Sequence, residues 1–360
     1  MDRWLVGLIC SCVVFGIIMI DSASSVWALD RFGDSHFFSK RQAVFAILGI
    51  VSMLFLANFN YWKLKKYAWT VYLGGVLLLI LVLIPGVGLV RNGSQSWLGV
   101  GPLSLQPSEF AKIGVLLLLA KNLEETSHPI TNFRKGMAPQ LLLLILPFGI
   151  VMLQPDLGTG TVILGTGLAL MFLAGAPYRF FAGLIFLGIA GFAGLIISAP
   201  YRLQRIVSYL DPWQDPLGAG FQMIQSLYAL GPGAIFGFGL GESRQKYFYL
   251  PEPQNDFIFA IVGEELGFFG GLLLLLLFSA IVWRGVLIAL AAPDTFGQLM
   301  AGGIVLMIGI QVMINVAVVI GLIPVTGITL PFMSYGGSSL LLVLLSCGIL
   351  LNISKYRKKV

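Results

Sequence analysis

Five acidic residues and two cations crowd residues 242–267 (ESRQKYFYLPEPQNDFIFAIVGEELG), in a chain that otherwise carries little charge. Arg244 and Lys246 come first, a Pro-Glu-Pro corner follows, and Asp256 stands where an apolar segment begins. A carboxyl at such an edge can have its pKa raised toward neutrality and act as a general base, while nearby cations hold an anionic group. The competing role for Asp256 is to cap the helix that follows, since an acid at a helix N-terminus is favoured by the dipole. Glu264 falls about two turns deeper and Glu265 close to the opposite side of the same helix, so these two are assigned to pairing with neighbouring spans.

Other polar groups fall where a lipid environment makes them costly, which marks them as candidates for function. Glu109 and Lys112 are three apart at the start of an apolar run and share one helix face. They form either a neutralised structural pair or the polar wall of a headgroup cavity, and an acid beside an amine also keeps proton-coupled transport open. Asp156, in the turn Gln154-Pro-Asp-Leu-Gly-Thr159, either caps the next helix or brings a second carboxylate to the level of Asp256. Gly321–Ser339 mixes prolines, glycines and hydroxyls within apolar sequence. Such irregular backbone is tolerated at membrane depth only when buried in protein or lining a wet cavity. Gln311 and Asn315, spaced i, i+4, add to that wall.

The elements that position these residues follow from composition. Only 11% of the 360 residues are charged and 58% are hydrophobic, with mean hydropathy +0.92. A soluble domain carries about 25% charged residues, so the chain is read as an integral membrane protein. Apolar runs of helical length, without the alternation of a β-barrel, make it all-α. Ten spans are expected, at roughly 4–22, 42–58, 67–85, 109–122, 137–153, 157–174, 180–198, 257–282, 296–322 and 335–352, in a single domain over residues 1–360. Lys and Arg distribution puts both termini in the cytoplasm, with the 355–359 tail as a topology anchor. Two long outer segments result, 85–108 and about 199–256, the second carrying Arg202, Arg205, Arg244 and Lys246 and rich in Pro and Gly. Its cations suggest an anionic ligand. Gly237, Gly239 and Gly241 form a G-x-G-x-G run, but no Rossmann strand precedes it, so no nucleotide site is expected. Cys10, Cys12 and Cys347 fall within spans, which argues against disulfides and a cysteine zinc site, and His36 and His128 sit in different loops. No metal site and no nucleic-acid partner is expected. Residues and spacing alone leave enzyme and transporter unseparated.

Several blocks, in order along nearly the whole chain, resemble the SEDS family of cell-wall proteins (FtsW, RodA and SpoVE). They are Arg91-Asn-Gly-Ser-Gln-Ser-Trp97, Gln106-Pro-Ser-Glu-Phe-Ala-Lys112, Gln154–Thr159, Phe221–Ser226, Gln245-Lys246, Tyr249–Glu252, Asp256–Ala260, Gly263–Gly267 and Gly321–Ser339. Residues 237–260 are most similar to the FtsW/SpoVE branch; Asn255 stands where relatives often carry Thr. The resemblance implies a peptidoglycan glycosyltransferase in the bacterial cytoplasmic membrane. It would polymerise lipid II outside the membrane into β-1,4 glycan, for spore cortex or division septum, beside a class B penicillin-binding protein of SpoVD-like or division type. A lipid II flippase and a non-catalytic scaffold for that partner are the alternatives. On this reading Asp256 is the catalytic base. Arg91, Arg202, Arg205, Arg244 and Lys246 are the outer cations for the pyrophosphate, Glu109 and Lys112 shape the lipid-side cavity, Asp156 is counted with the substrate-binding residues, and Trp97 stacks on a sugar or anchors its loop. No cofactor is required, although a divalent cation, magnesium or manganese, is compatible with the chemistry.

Overall fold

Apolar helices dominate the computed structural model, which describes all residues except 92–93, 101–102, 127, 187–208, 219 and 358–360. The helices of the first half are α1 (Arg3–Phe32), α2 (Phe37–Asn58), the short α3 (Tyr61–Lys66), α4 (Ala68–Leu83), α5 (Pro107–Glu125), α6 (Ala138–Leu153) and α7 (Leu157–Leu173). Residues 178–186 are helical where the seventh span is expected, and the rest of that span lies outside the described residues. Then come α8 (Phe221–Gly233), α9 (Ile258–Leu290), α10 (Thr295–Val319) and α11 (Gly337–Ile353). Among the described residues, five segments, including α1, α2, α9 and α10, are long and apolar enough to cross a membrane by themselves.

Burial decides the arrangement. On α5 nearly every residue from Pro107 to Ala120 is buried, and α10 is buried along most of its length. These two helices pack on each other and run through the middle, with α4, α6 and α7 against α5 and with α7, α9 and α11 against α10. A helix that is apolar all round belongs in such a core. On α2 and α4, by contrast, Val44, Ile47, Phe55, Leu73 and Leu77 are exposed, as lipid-facing side chains would be.

Three features depart from a plain row of spans. The outer segment 85–108 folds into a small antiparallel sheet, β1 (Gly88–Arg91), β2 (Ser94–Val100) and β3 (Leu103–Leu105), in the order β1-β2-β3. Gln95 and Ser94 fasten it to Val82 and Gln154 backbone oxygens at 2.9 and 2.6 Å. The eighth span does not begin as one continuous helix at Asp256: α9 is broken at Gly267 (φ 67°, ψ −162°) into a short outer helix and a long one. Residues 234–239 occupy the break, where the Glu264 and Glu265 carbonyls accept from Phe238 and Gly239 N–H and where Phe268 and Phe269 donate to Ala234 and Ile235. The glycine run is there for close approach. A Cβ on Gly237 would lie 2.2 Å from the Glu265 oxygen.

The third is the meeting of the two ends. Asp2 is buried, accepts from Arg284, lies 3.9 Å from Arg357, and donates its N–H to Ser354 Oγ at 3.0 Å. The tail is therefore part of a clasp as well as basic, and the N- and C-termini share one end of the bundle.

Candidate active site

Asp256 is placed by α10 and by the irregular segment 321–336, which α2 in turn holds. Asn315, buried on α10, donates through Nδ2 to the Asp256 carbonyl at 2.8 Å and to the Ile328 carbonyl at 2.7 Å. One side chain thus clips the entry of α9 to the irregular segment 321–336. That segment has little regular pairing of its own, beyond Met333 and Ser334 N–H donating to Leu330 O, and is held largely by groups from elsewhere in the chain. Gln42 on α2 donates to Ser334 O at 3.1 Å and accepts from Gly336 N–H, and Tyr335 N–H donates to Gln254 O. Its Leu330, Phe332 and Met333 are buried, so this broken stretch is packed into the protein.

Asp256 does not cap α9. Phe257 holds the cap position and no side chain caps that helix. Among the described residues nothing donates a hydrogen bond to the Asp256 carboxyl. Gly327 lies against it: a Cβ there would be 3.6 Å from Oδ2. Burial raises the carboxyl's pKa, and the neighbouring charges of Glu252 and Asp156 raise it further, to about 7. A carboxyl poised near neutrality with free oxygens suits general-base chemistry.

Asp156 fills both roles read for it. Its Oδ1 accepts from Thr159 N–H at 3.0 Å, capping α7, and its Oδ2 accepts from Gln106 Nε2 at 3.2 Å. The N-terminus of α7 packs against Thr326 and Ile328, where a Cβ on Gly158 would meet the Thr326 oxygen at 2.3 Å. Gln106 also precedes α5, which carries the Glu109–Lys112 pair at 2.8 Å with both side chains buried. Pairing in so dry a place is close to obligatory, because either charge alone would be costly. The Lys112 side chain borders a small void with Thr166 and Met307.

The cations divide. Arg244 is exposed, with its guanidinium 4.7 Å from the Phe238 ring centre. Lys246 is buried and faces a separate cavity between α1, α2 and the 240–246 loop. Trp97 is half-buried on β2 opposite Leu89. Arg91 ends β1 opposite Ser94; its side chain, like Arg202 and Arg205, lies outside the described residues. Among the described residues, Glu264 and Glu265 do not pair with cations. They accept from Ser243, Arg244 and Gln245 N–H groups, from Ser243 Oγ, and from Ser22 Oγ on α1, fastening the outer loop to the short helix after Asp256. Gln106 and Asn315 stood in the sequence as a motif member and a polar i, i+4 partner; their reach to Asp156 and Asp256 depends on tertiary contacts. No three His, Cys, Asp or Glu side chains among the described residues converge as a metal-binding group.

Comparison with known proteins agrees along the full length. The family model described as cell cycle protein, covering FtsW, RodA and SpoVE, matches residues 3–359. The chain is 57% identical to Stage V sporulation protein E of Bacillus subtilis (strain 168), over 99% of this chain and 98% of that one. It is 41% identical to a probable peptidoglycan glycosyltransferase FtsW of Geobacter sp. (strain M18), over 97% and 95%. A solved structure from work on structural coordination of polymerization and crosslinking by a peptidoglycan synthase complex superposes with a TM-score of 0.83, at 36% identity, over 98% of this chain and 97% of that one.

Proposed function

The chain belongs to the FtsW, RodA and SpoVE family of cell cycle proteins, and from that premise we infer that it is a membrane-embedded peptidoglycan glycosyltransferase with Asp256 as its base. The substrate we assign is lipid II. Asp256 takes the proton from a sugar 4-hydroxyl as that oxygen attacks the anomeric carbon of a sugar borne on undecaprenyl pyrophosphate. The new C–O bond forms with inversion, and the old bond breaks with its electron pair leaving on the pyrophosphate. Pyrophosphate is a good leaving group once its charge is met, so cations matter more there than an acid. Arg244, Arg91, Arg202 and Arg205 are the outer candidates. Magnesium or manganese, if bound, would be held by the Asp156 or Glu252 carboxylate beside Asp256 and would supply positive charge for the departing pyrophosphate.

The observation that carries the reading is the Asp256 carboxyl itself, raised to about 7 and left without a donor among the described residues. Both termini are assigned to the cytoplasm, which sets Asp256 on the outer face. The 57% match to a sporulation protein, against 41% for FtsW, favours a sporulation role over division. For the partner, a class B penicillin-binding protein, we assign the exposed aromatics Phe236, Tyr247, Phe248 and Tyr249 as contact surface, since aromatic residues are enriched in interfaces. The test reconstitutes the protein with that partner and labelled lipid II. Glycan polymer that disappears in Asp256→Asn supports the assignment. Lipid translocation without polymer would make the protein a flippase, and intact cellular function in Asp256→Asn would make it a scaffold.

A further inference from the structure

Lys246 has a charge that the fold does not neutralise. It is 7% exposed, and its ammonium donates to the Gly241 carbonyl. No salt bridge engages it among the described residues. A buried ammonium without a counter-ion is unfavourable, and more so beside hydrocarbon. The group faces a cavity of about 670 Å³ between α1, α2 and residues 240–246, a size typical of small-ligand sites.

The level of this cavity is set by α1. From Arg3 to Asp21, which lines it, the helix climbs about 27 Å, close to the thickness of a bilayer's hydrocarbon core. The cavity therefore opens at the headgroup level opposite the N-terminus. Its apolar wall, Ile17, Ile18 and Ala43, continues one turn further on each helix onto the exposed side chains of Val14 and Ile47. A ligand here has a polar head above and acyl chains below.

The polar groups define the head. Lys40 is taken up by Asp34 at 2.7 Å, which leaves Lys246 for an anion. Asp21 accepts through Oδ1 from Ser39, and the same oxygen lies 2.8 Å from His36 Nδ1. Its Oδ2 has no hydrogen bond among the described residues and can take a cation. We propose that this cavity binds an aminophospholipid, its phosphate on Lys246 and its ammonium on Asp21. None of the residues placed around Asp256 lines it, so the inference stands apart from the glycosyl-transfer reading. Occupancy bears on Asp256 indirectly. The Lys246 backbone N–H donates to Ser243 Oγ at 3.3 Å, and Ser243 holds Glu264 in the short helix that follows Asp256.

The experiment is native mass spectrometry of the full chain in non-ionic detergent, titrated with phosphatidylethanolamine, phosphatidylglycerol and phosphatidylcholine of equal acyl length. One equivalent of phosphatidylethanolamine is expected to be retained about tenfold more tightly than the other two, the scale of one charge-assisted hydrogen bond. Lys246→Met abolishes that retention, Asp21→Asn removes the preference over phosphatidylglycerol, and Lys66→Met, at an exposed lysine elsewhere, changes neither. Equal retention of the three lipids, or undiminished retention by a folded Lys246→Met, overturns the proposal. Displacement of the bound lipid by undecaprenyl pyrophosphate overturns it too, by giving the cavity to the polyprenyl carrier. Should Lys246→Met not fold, the Asp21→Asn preference decides alone.

Discussion

Asp256 is costly to ionise, and that cost has a sign. A carboxyl raised from 3.8 to about 7 penalises the native state above pH 7, and the penalty fades as pH falls toward the unfolded value. Asp256→Asn is therefore expected to melt at a higher temperature than the wild type at pH 8 and at the same temperature near pH 4, measured by thermal unfolding in detergent. As a base, Asp256 works ionised, so polymerisation should rise as pH passes through about 7. Glu252→Gln removes one of the like charges that raise Asp256 and should move that rise to lower pH, read from a pH–rate profile. The residue types and their edge position made Asp256 legible in the sequence, and the Glu109–Lys112 spacing made that pair legible. The absence of a capping role was not, because it depends on α9 beginning at Ile258, with Phe257 at the cap position. Neither was the split between Arg244 and Lys246, two residues apart, one exposed and the other facing a different cavity.

The broken helix α9 is the element on which the site depends. Its short outer part carries Glu264 and Glu265, which hold the loop, and begins two residues after Asp256. Gly267 makes the break: at φ 67° a Cβ would lie 2.4 Å from Gly237 N and 2.6 Å from Ile235 C, both backbone atoms. Gly267→Ala should cost at least about 1–3 kcal/mol from the left-handed backbone alone, seen as a lower melting temperature together with lost polymerisation. Gly7→Ala on α1, where a Cβ meets nothing within 4 Å, is the control and should gain about 0.5–1 kcal/mol. Hydropathy located this helix but not its break, since Gly267 reads like any glycine in a packed membrane helix. The Gly231–Gly241 run was visible as unusual, and its meaning lay in the partner backbone it approaches. The sheet in 85–108 escaped notice because its strands are four, seven and three residues long, too short for a periodic signal.

At the scale of the molecule, hydropathy placed most of the spans because lipid leaves few alternatives to a helix. What they could not give is which helices are central. On α5 and α10 the burial is nearly all-round, and that follows from packing rather than from the mean hydropathy of either. The clasp of Asp2 with Arg284 and Arg357 closes the bundle at the end where the termini meet. Arg284→Ala would leave Asp2 buried with its nearest remaining cation at 3.9 Å, a loss of roughly 3 kcal/mol, measurable as a lower melting temperature that Arg284→Lys partly restores.

The most direct test of the central claim is the rate of glycan polymerisation from labelled lipid II by purified Asp256→Asn with its penicillin-binding partner. The account predicts a fall of at least about 100-fold in a protein that melts at or above the wild-type temperature at pH 8. Polymer made at the wild-type rate by that folded variant would contradict it.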